Sequence, residues 1–124
     1  MRKRLEDHLH IPYNRIRMHE FVASACKLQD ECGVRALDLA KGLLEKGHHA
    51  PTIYFPLIVK ECLMFEPTET ESKETLDGFL DDLIDLIETA KKDPEALFSA
   101  PHNTPVRRLD ETKAAREMVL VDEV

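Results

Sequence analysis

Six apolar side chains, Leu76, Phe79, Leu80, Leu83, Ile84 and Ile87, recur three and four residues apart. That spacing lines one stripe of an α-helix. It predicts a helix from about Glu71 to Lys91, the longest in the chain. Glu69, Glu71 and Glu74 sit near its positive end and Lys91 and Lys92 near its negative end, as the macrodipole favours. Thr68 and Thr70 are the expected N-caps. A helix with one apolar stripe must bury it against another layer, so the rest of the chain has to supply that layer.

The remaining elements are shorter. Residues 1–16 read as an irregular lead-in, since Pro12 and Asn14 interrupt it and no apolar period appears. Between Arg17 and Cys26, the run Phe21 to Ala25 predicts one strand. Lys27 to Cys32 reads as a polar turn. Val34, Leu37, Ala40, Leu43 and Leu44 have helical spacing, so a helix is expected from Val34 to Lys46, stopped by Gly47. Ile53 to Phe55 reads as extended and Pro56 closes it. Cys62 to Phe65 is a third strand, left at Pro67. Asp93-Pro94 begins a helical turn running through Phe98, and Asp110 to Glu117 is a further short helix.

The order predicts a small two-layer α+β domain, an antiparallel sheet with helices on one face. Residues 1–100 are expected to form the domain, and 101–124 a tail packing on it or on a partner. The strands read as apolar on both sides. The second face therefore needs covering, by the tail or, as we favour, by another chain.

Composition narrows the function classes. With 124 residues, 43% apolar and 33% charged, the chain can bury a core. It leaves little margin for a cofactor cavity with a closing lid, which excludes a large multi-substrate enzyme acting alone. A net charge of −7 argues against general nucleic-acid binding. No apolar run approaches the ~20 residues that span a bilayer. The basic start, Met1 to Arg4, is followed by Leu5-Glu6-Asp7-His8, which is no secretory signal. Cys26, Cys32 and Cys62 lack paired spacing and suit reduced thiols, so a cytoplasmic protein is expected. From Glu61 to Glu95, twelve acids stand against Lys73, Lys91 and Lys92, and the simplest reading is a solvated helix face.

Few residues carry chemistry by pattern alone. His19, His48, His49 and the cysteines lack the pairing of a zinc site, so no metal is expected. Cys26 and Cys62 fall on strands and read as small apolar residues. In Glu66-Pro67-Thr68-Glu69-Thr70-Glu71 the threonines explain themselves as caps, although Glu66 and Glu69 are placed to aim into a cleft. The stretch His102 to Asp110 is polar and carries adjacent Arg107 and Arg108. Their guanidiniums suit a substrate or cofactor anion as well as salt bridges to the chain's own domain. The four glycines are scattered and form no phosphate cradle.

Longer motifs carry a resemblance. Gly47-His48-His49-Ala50-Pro51-Thr52, then Leu63-Met64-Phe65-Glu66-Pro67-Thr68-Glu69 and the long helix after them, resemble the C-terminal region of the glycine cleavage system P-protein family, the pyridoxal-phosphate-dependent glycine dehydrogenase (decarboxylating). Ala100 to Glu111 and Lys113 to Arg116 resemble the end of its two-chain bacterial form, subunit 2, and Met18 to Val22 is similar to the family as well. The resemblance implies the small C-terminal domain of a fold-type I pyridoxal-phosphate enzyme. In that family glycine loses its carboxyl group on the cofactor, and the aminomethyl group passes to lipoyl-H-protein. The cofactor lysine lies in a large domain upstream of the segments matched here. The chain alone is thus expected to bind no pyridoxal phosphate and to be inactive, its partner being that large domain or subunit. Residues in matched motifs that the resemblance brings near the cleft are His19, His49, Thr52, Glu66, Thr68, Arg107 and Arg108. None is assigned a catalytic role. His48 stands where the family usually has an aromatic residue and Lys60 where proline is usual, and Glu117 to Val124 departs from the pattern. The competing expectations are a non-catalytic interaction or self-associating module derived from that domain, and a truncated reading frame.

Overall fold

In the computed structural model, which describes residues 1–121, the chain folds in the order α1 (Arg2–Leu5), β1 (Phe21–Ser24), α2 (Cys26–Cys32), α3 (Ala36–Glu45), β2 (Thr52–Ile53), β3 (Cys62–Phe65), α4 (Lys73–Lys92), α5 (Pro94–Ser99) and α6 (Glu111–Arg116). Residues 122–124 of the expected tail lie outside the described residues.

The sheet is antiparallel, with β3 between β1 and β2. Phe21 sits opposite Phe65, and Ala23 and Ile53 both sit opposite Leu63. Side chains alternate along a strand, so these five share one face. It is the core face: Ala23 and Leu63 are fully buried, and Phe21 stacks on Phe65 with ring centroids 5.0 Å apart. Val22, Met64 and Thr52 lie on the other face, half-buried or exposed. The outer face of β1 and β3 is thus also largely apolar, through Val22, Met64 and Cys62, as expected from the sequence. At the far end of the outer face Ser24 and Cys62 are buried, with Ser24 Oγ donating to the Lys60 carbonyl at 2.8 Å.

Helix α4 lies against α1, α2, α3 and α5. Its predicted stripe delivers Leu80, Leu83 and Ile87 fully buried, with Phe79 and Ile84 packed beside them. Ser72, not Thr68 or Thr70, is the N-cap: its hydroxyl accepts from the Thr75 N–H at 3.1 Å. The two threonine hydroxyls instead bond each other at 2.8 Å in the preceding turn. The acids of this helix are partly neutralised: Arg4 pairs with Asp77 and Asp81, and Lys46 with Asp82 and Asp85.

Three local readings need correction. The lead-in contributes to the core, with Leu5, Leu9 and Ile11 buried and His10 bridging to Ser24. Two leucines four residues apart among charged neighbours are too sparse to show as a period. Cys26–Cys32 is helical where a polar turn was expected, because Leu28 alone anchors it and Gly33 ends it at φ +79°. The second extended stretch stops at Ile53, since Tyr54 turns the chain at φ +59°.

The predicted helix ending at Gly47 closes in a Schellman arrangement. The His48 N–H donates to the Leu43 carbonyl at 2.9 Å and the Gly47 N–H to the Leu44 carbonyl at 3.0 Å, with Gly47 at φ +83°. Its other end rests on two buried carboxylates. Glu61, 5% exposed, accepts the Ala36 N–H at 2.8 Å through Oε2 and the Arg35 guanidinium at 3.3 Å through Oε1. Asp38, 7% exposed, accepts the Arg35 N–H at 2.9 Å. The Glu61 carbonyl also accepts the Ala25 N–H at 2.9 Å, tying β3 to the start of α2. Replacing Glu61 by glutamine keeps the shape but removes the charge and sets an NH2 against N–H donors. Glu61→Gln is expected to lower the unfolding free energy by about 2 kcal/mol in urea titration; a change below about 0.5 kcal/mol would contradict this role.

Candidate functional site

The turn that follows α3 brings His48 and His49 to the sheet end where β3 runs out at Glu66. Together with the first two turns of α4 they wall a cleft of about 290 Å³, lined by His48, His49, Thr52, Glu66, Glu71 and Phe79 among others. Of the expected cleft residues, His49, Thr52 and Glu66 are brought together here, all of them exposed. His19 lines a neighbouring cleft of about 380 Å³ with Arg2, Arg15, Ile16, Arg17 and Met18. Met1, Pro67 and Leu76 line both clefts and so join them. His19 Nε2 lies 2.8 Å from the Glu20 carboxylate. Thr68 is exposed in the turn before α4, its hydroxyl on Thr70.

Arg107 and Arg108 lie elsewhere. The Arg108 guanidinium donates to the Leu97 carbonyl at 2.7 Å and to that of Ala100, and pairs with Asp38 at 2.9 Å. Arg107 donates to the Ser99 carbonyl at 3.2 Å and the Pro101 carbonyl at 3.4 Å. Both thus satisfy carbonyls at and beyond the C-terminal end of α5, and Arg108 joins that end to the first turn of α3.

His48 is the cleft residue that sequence reasoning passed over. Its Nε2 lies 2.7 Å from Asp82, and its ring meets Phe79 edge-on at 5.3 Å. That bond, with Lys46 nearby, holds the Asp82 carboxyl below its ordinary value. The available signal was the i, i+3 pairing of Phe79 with Asp82, which puts an aromatic edge and an acid on one helix face.

The donors in the clefts set what they can hold. A pyridoxal phosphate would require a lysine for its aldehyde and cationic or N–H groups for its phosphate. Among the described residues no lysine lines either cleft; Glu66 and Glu71 face the first and Arg2, Arg15 and Arg17 the second, while Lys27 and Lys91 line a third cleft between residues 6–14 and α2. The two joined clefts offer no lysine to that cofactor's aldehyde. Among the described residues no group of three or more histidine, cysteine or acidic side chains is placed to hold a metal ion. Burial pushes the Cys62 thiol up to about 11, so it is an inert packing group. No described helix is long and apolar enough to cross a membrane.

Fold and clefts define a class: a small α+β domain with helices on one sheet face and adjoining open clefts at one sheet end. The family profile described as "Glycine dehydrogenase, C-terminal domain" matches residues 1–106, and the chain belongs to that family. It is 56% identical over 115 residues to the probable glycine dehydrogenase (decarboxylating) subunit 2 of Desulforamulus reducens, covering 93% of this chain and 24% of that protein. The protein of the same description from Staphylococcus haemolyticus is 60% identical over 116 residues, covering 94% of this chain and 23% of its own length. The Thermotoga maritima protein is 56% identical over 119 residues, 96% of this chain and 25% of its own. The chain thus spans about a quarter of the length of the curated relatives it matches.

The bonds of Arg108 imply a role in holding the fold. Arg108→Ala is expected to lower the unfolding free energy by about 2 kcal/mol, because the nearly buried Asp38 loses its cation. Arg108→Lys is expected to recover only part, since one ammonium cannot reach two carbonyls and a carboxylate together. Unchanged chemical denaturation midpoints in both variants would overturn this assignment.

Proposed function

We propose that this chain acts as the C-terminal small domain of the glycine decarboxylase of the glycine cleavage system, walling an active site whose cofactor is held by another domain. The observation that carries the reading is the pairing of the family match with an open cleft on whose rim His49, Thr52 and Glu66 converge. On this reading pyridoxal phosphate is bound on the large domain or subunit, and lipoyl-H-protein meets the assembled enzyme in the cytoplasm. His49, Thr52 and Glu66 approach the reaction space from the first cleft, and His19 from the second. Pro101 to Arg108 acts as a strap that docks the end of α5 through Arg107 and Arg108.

The contribution assigned to the chain is shape and polarity. Exposed His49, Thr52 and Glu66 offer an imidazole, a hydroxyl and a carboxyl group at one rim. Their chemistry is completed only when an opposing surface excludes water. A non-catalytic, self-associating module is favoured only by exposed apolar residues such as Leu57 and Ile58.

Exchange of labelled bicarbonate into the glycine carboxyl group tests this directly. The 124-residue chain alone is expected to show no exchange above background. Substituting this chain for the matching quarter of the Desulforamulus reducens relative, in the presence of its partner subunit and H-protein, is expected to retain exchange within about tenfold of the unsubstituted protein. Exchange by the isolated chain would sink the proposal, as would an inactive substituted protein that is folded and assembled.

A further inference from the structure

Besides the run Met118 to Val121 after α6, two groups of large apolar side chains stand out in solvent, at opposite ends of the sheet. Ile16 and Met18 are 92% and 97% exposed, just before β1 and beside the clefts. Leu57 and Ile58 are 88% and 82% exposed in the β2–β3 connection, next to the end where Ser24 faces Cys62. Single exposed apolar residues need no explanation, but grouped ones mark contact surfaces. The matched portion forms the C-terminal domain in its family, so in the relatives the preceding polypeptide arrives at the position of Met1. Met1 lines both clefts, and the second of these is walled by Ile16 and Met18. That polypeptide therefore begins within reach of the Ile16–Met18 group and on the far side of the sheet from Leu57 and Ile58.

We propose that the arm Arg15-Ile16-Arg17-Met18 is the surface on which the preceding domain of the longer protein seats, through a complementary patch that is apolar at its centre and acidic at its rim. The inference rests on the functional reading above and names the face that reading leaves open. Arg15 and Arg17 alternate with the two apolar residues, and Arg2, already paired with Glu6 at 2.7 Å, lines the same cleft. Arg17 lies over the Tyr13 ring, 5.9 Å from its centroid, and no ion pair among the described residues engages Arg15 or Arg17. Glu20 is the one acid on that wall, and it faces His19. The charge left for a partner is positive, on a chain whose α4 face is strongly acidic. Burial of Ile16 and Met18 at the centre with the guanidiniums outside follows the usual arrangement of such contacts.

Hydrogen exchange followed by mass spectrometry tests the assignment. The complete Thermotoga maritima relative, assembled with its partner subunit, is compared with the 124-residue chain, each normalised to intrinsic rates. The segment aligned with residues 15–20 is expected to exchange at least tenfold more slowly in the complete protein. The segment aligned with 55–59 is expected to change far less on adding the preceding domain. Protection at 55–59 without protection at 15–20 would overturn the proposal, as would protection at neither. Concentration-dependent protection of 15–20 in the 124-residue chain alone would overturn it in favour of a second copy. Bicarbonate exchange measured on the same assembled sample separates the two claims. Activity without protection at 15–20 removes this docking face and leaves the functional reading standing, whereas protection without activity does the reverse.

Discussion

The first turn of α3 carries two buried carboxylates, and much of the domain hangs from them. Glu61 reaches it from the start of β3 and Asp38 from within it, and each is more than nine-tenths buried. A helix N-terminus attracts anions, which offsets part of the desolvation these charges incur. Arg35 and Arg108 supply the rest, at 3.3 Å and 2.9 Å. Through this one node the sheet, α2, α3 and the segment after α5 are held to each other. Helix α4 then needs only to lay its apolar stripe over a frame already fixed.

That frame explains where the clefts open. The Schellman turn after α3 places His48 on Asp82 and against Phe79, and leaves His49 free at the rim. Met1, Pro67 and Leu76 line both clefts, so the two form one continuous depression at the end of the sheet. Its walls are acidic on the α4 side and basic on the arm side. Such a depression presents groups to a second surface and does not enclose a ligand by itself.

Strong, local signals were legible in the sequence. The α4 stripe, the strand Cys62–Phe65 and the Gly47 stop all appear where the pattern puts them, because each is set by a period or by a single backbone requirement. The role of Leu5 and Leu9 was not legible, since their partners are distant in sequence. The buried state of Glu61 was hidden for the same reason: a glutamate reads as solvent-exposed until the N–H groups that receive it are known. Arg107 and Arg108 could be read as anion ligands because their carbonyl partners exist only once α5 has formed. For the clefts, the matched motifs around His49, Thr52 and Glu66 converged in space, whereas Thr68 did not join them.

The central claim is that this domain shapes an active site without holding its cofactor. Intact-mass measurement after incubation with pyridoxal phosphate and borohydride reduction, which makes any cofactor–lysine linkage permanent, tests it most directly. The account predicts scattered labelling well below one cofactor per chain. One lysine labelled to completion would contradict it, because the domain would then carry a cofactor site of its own.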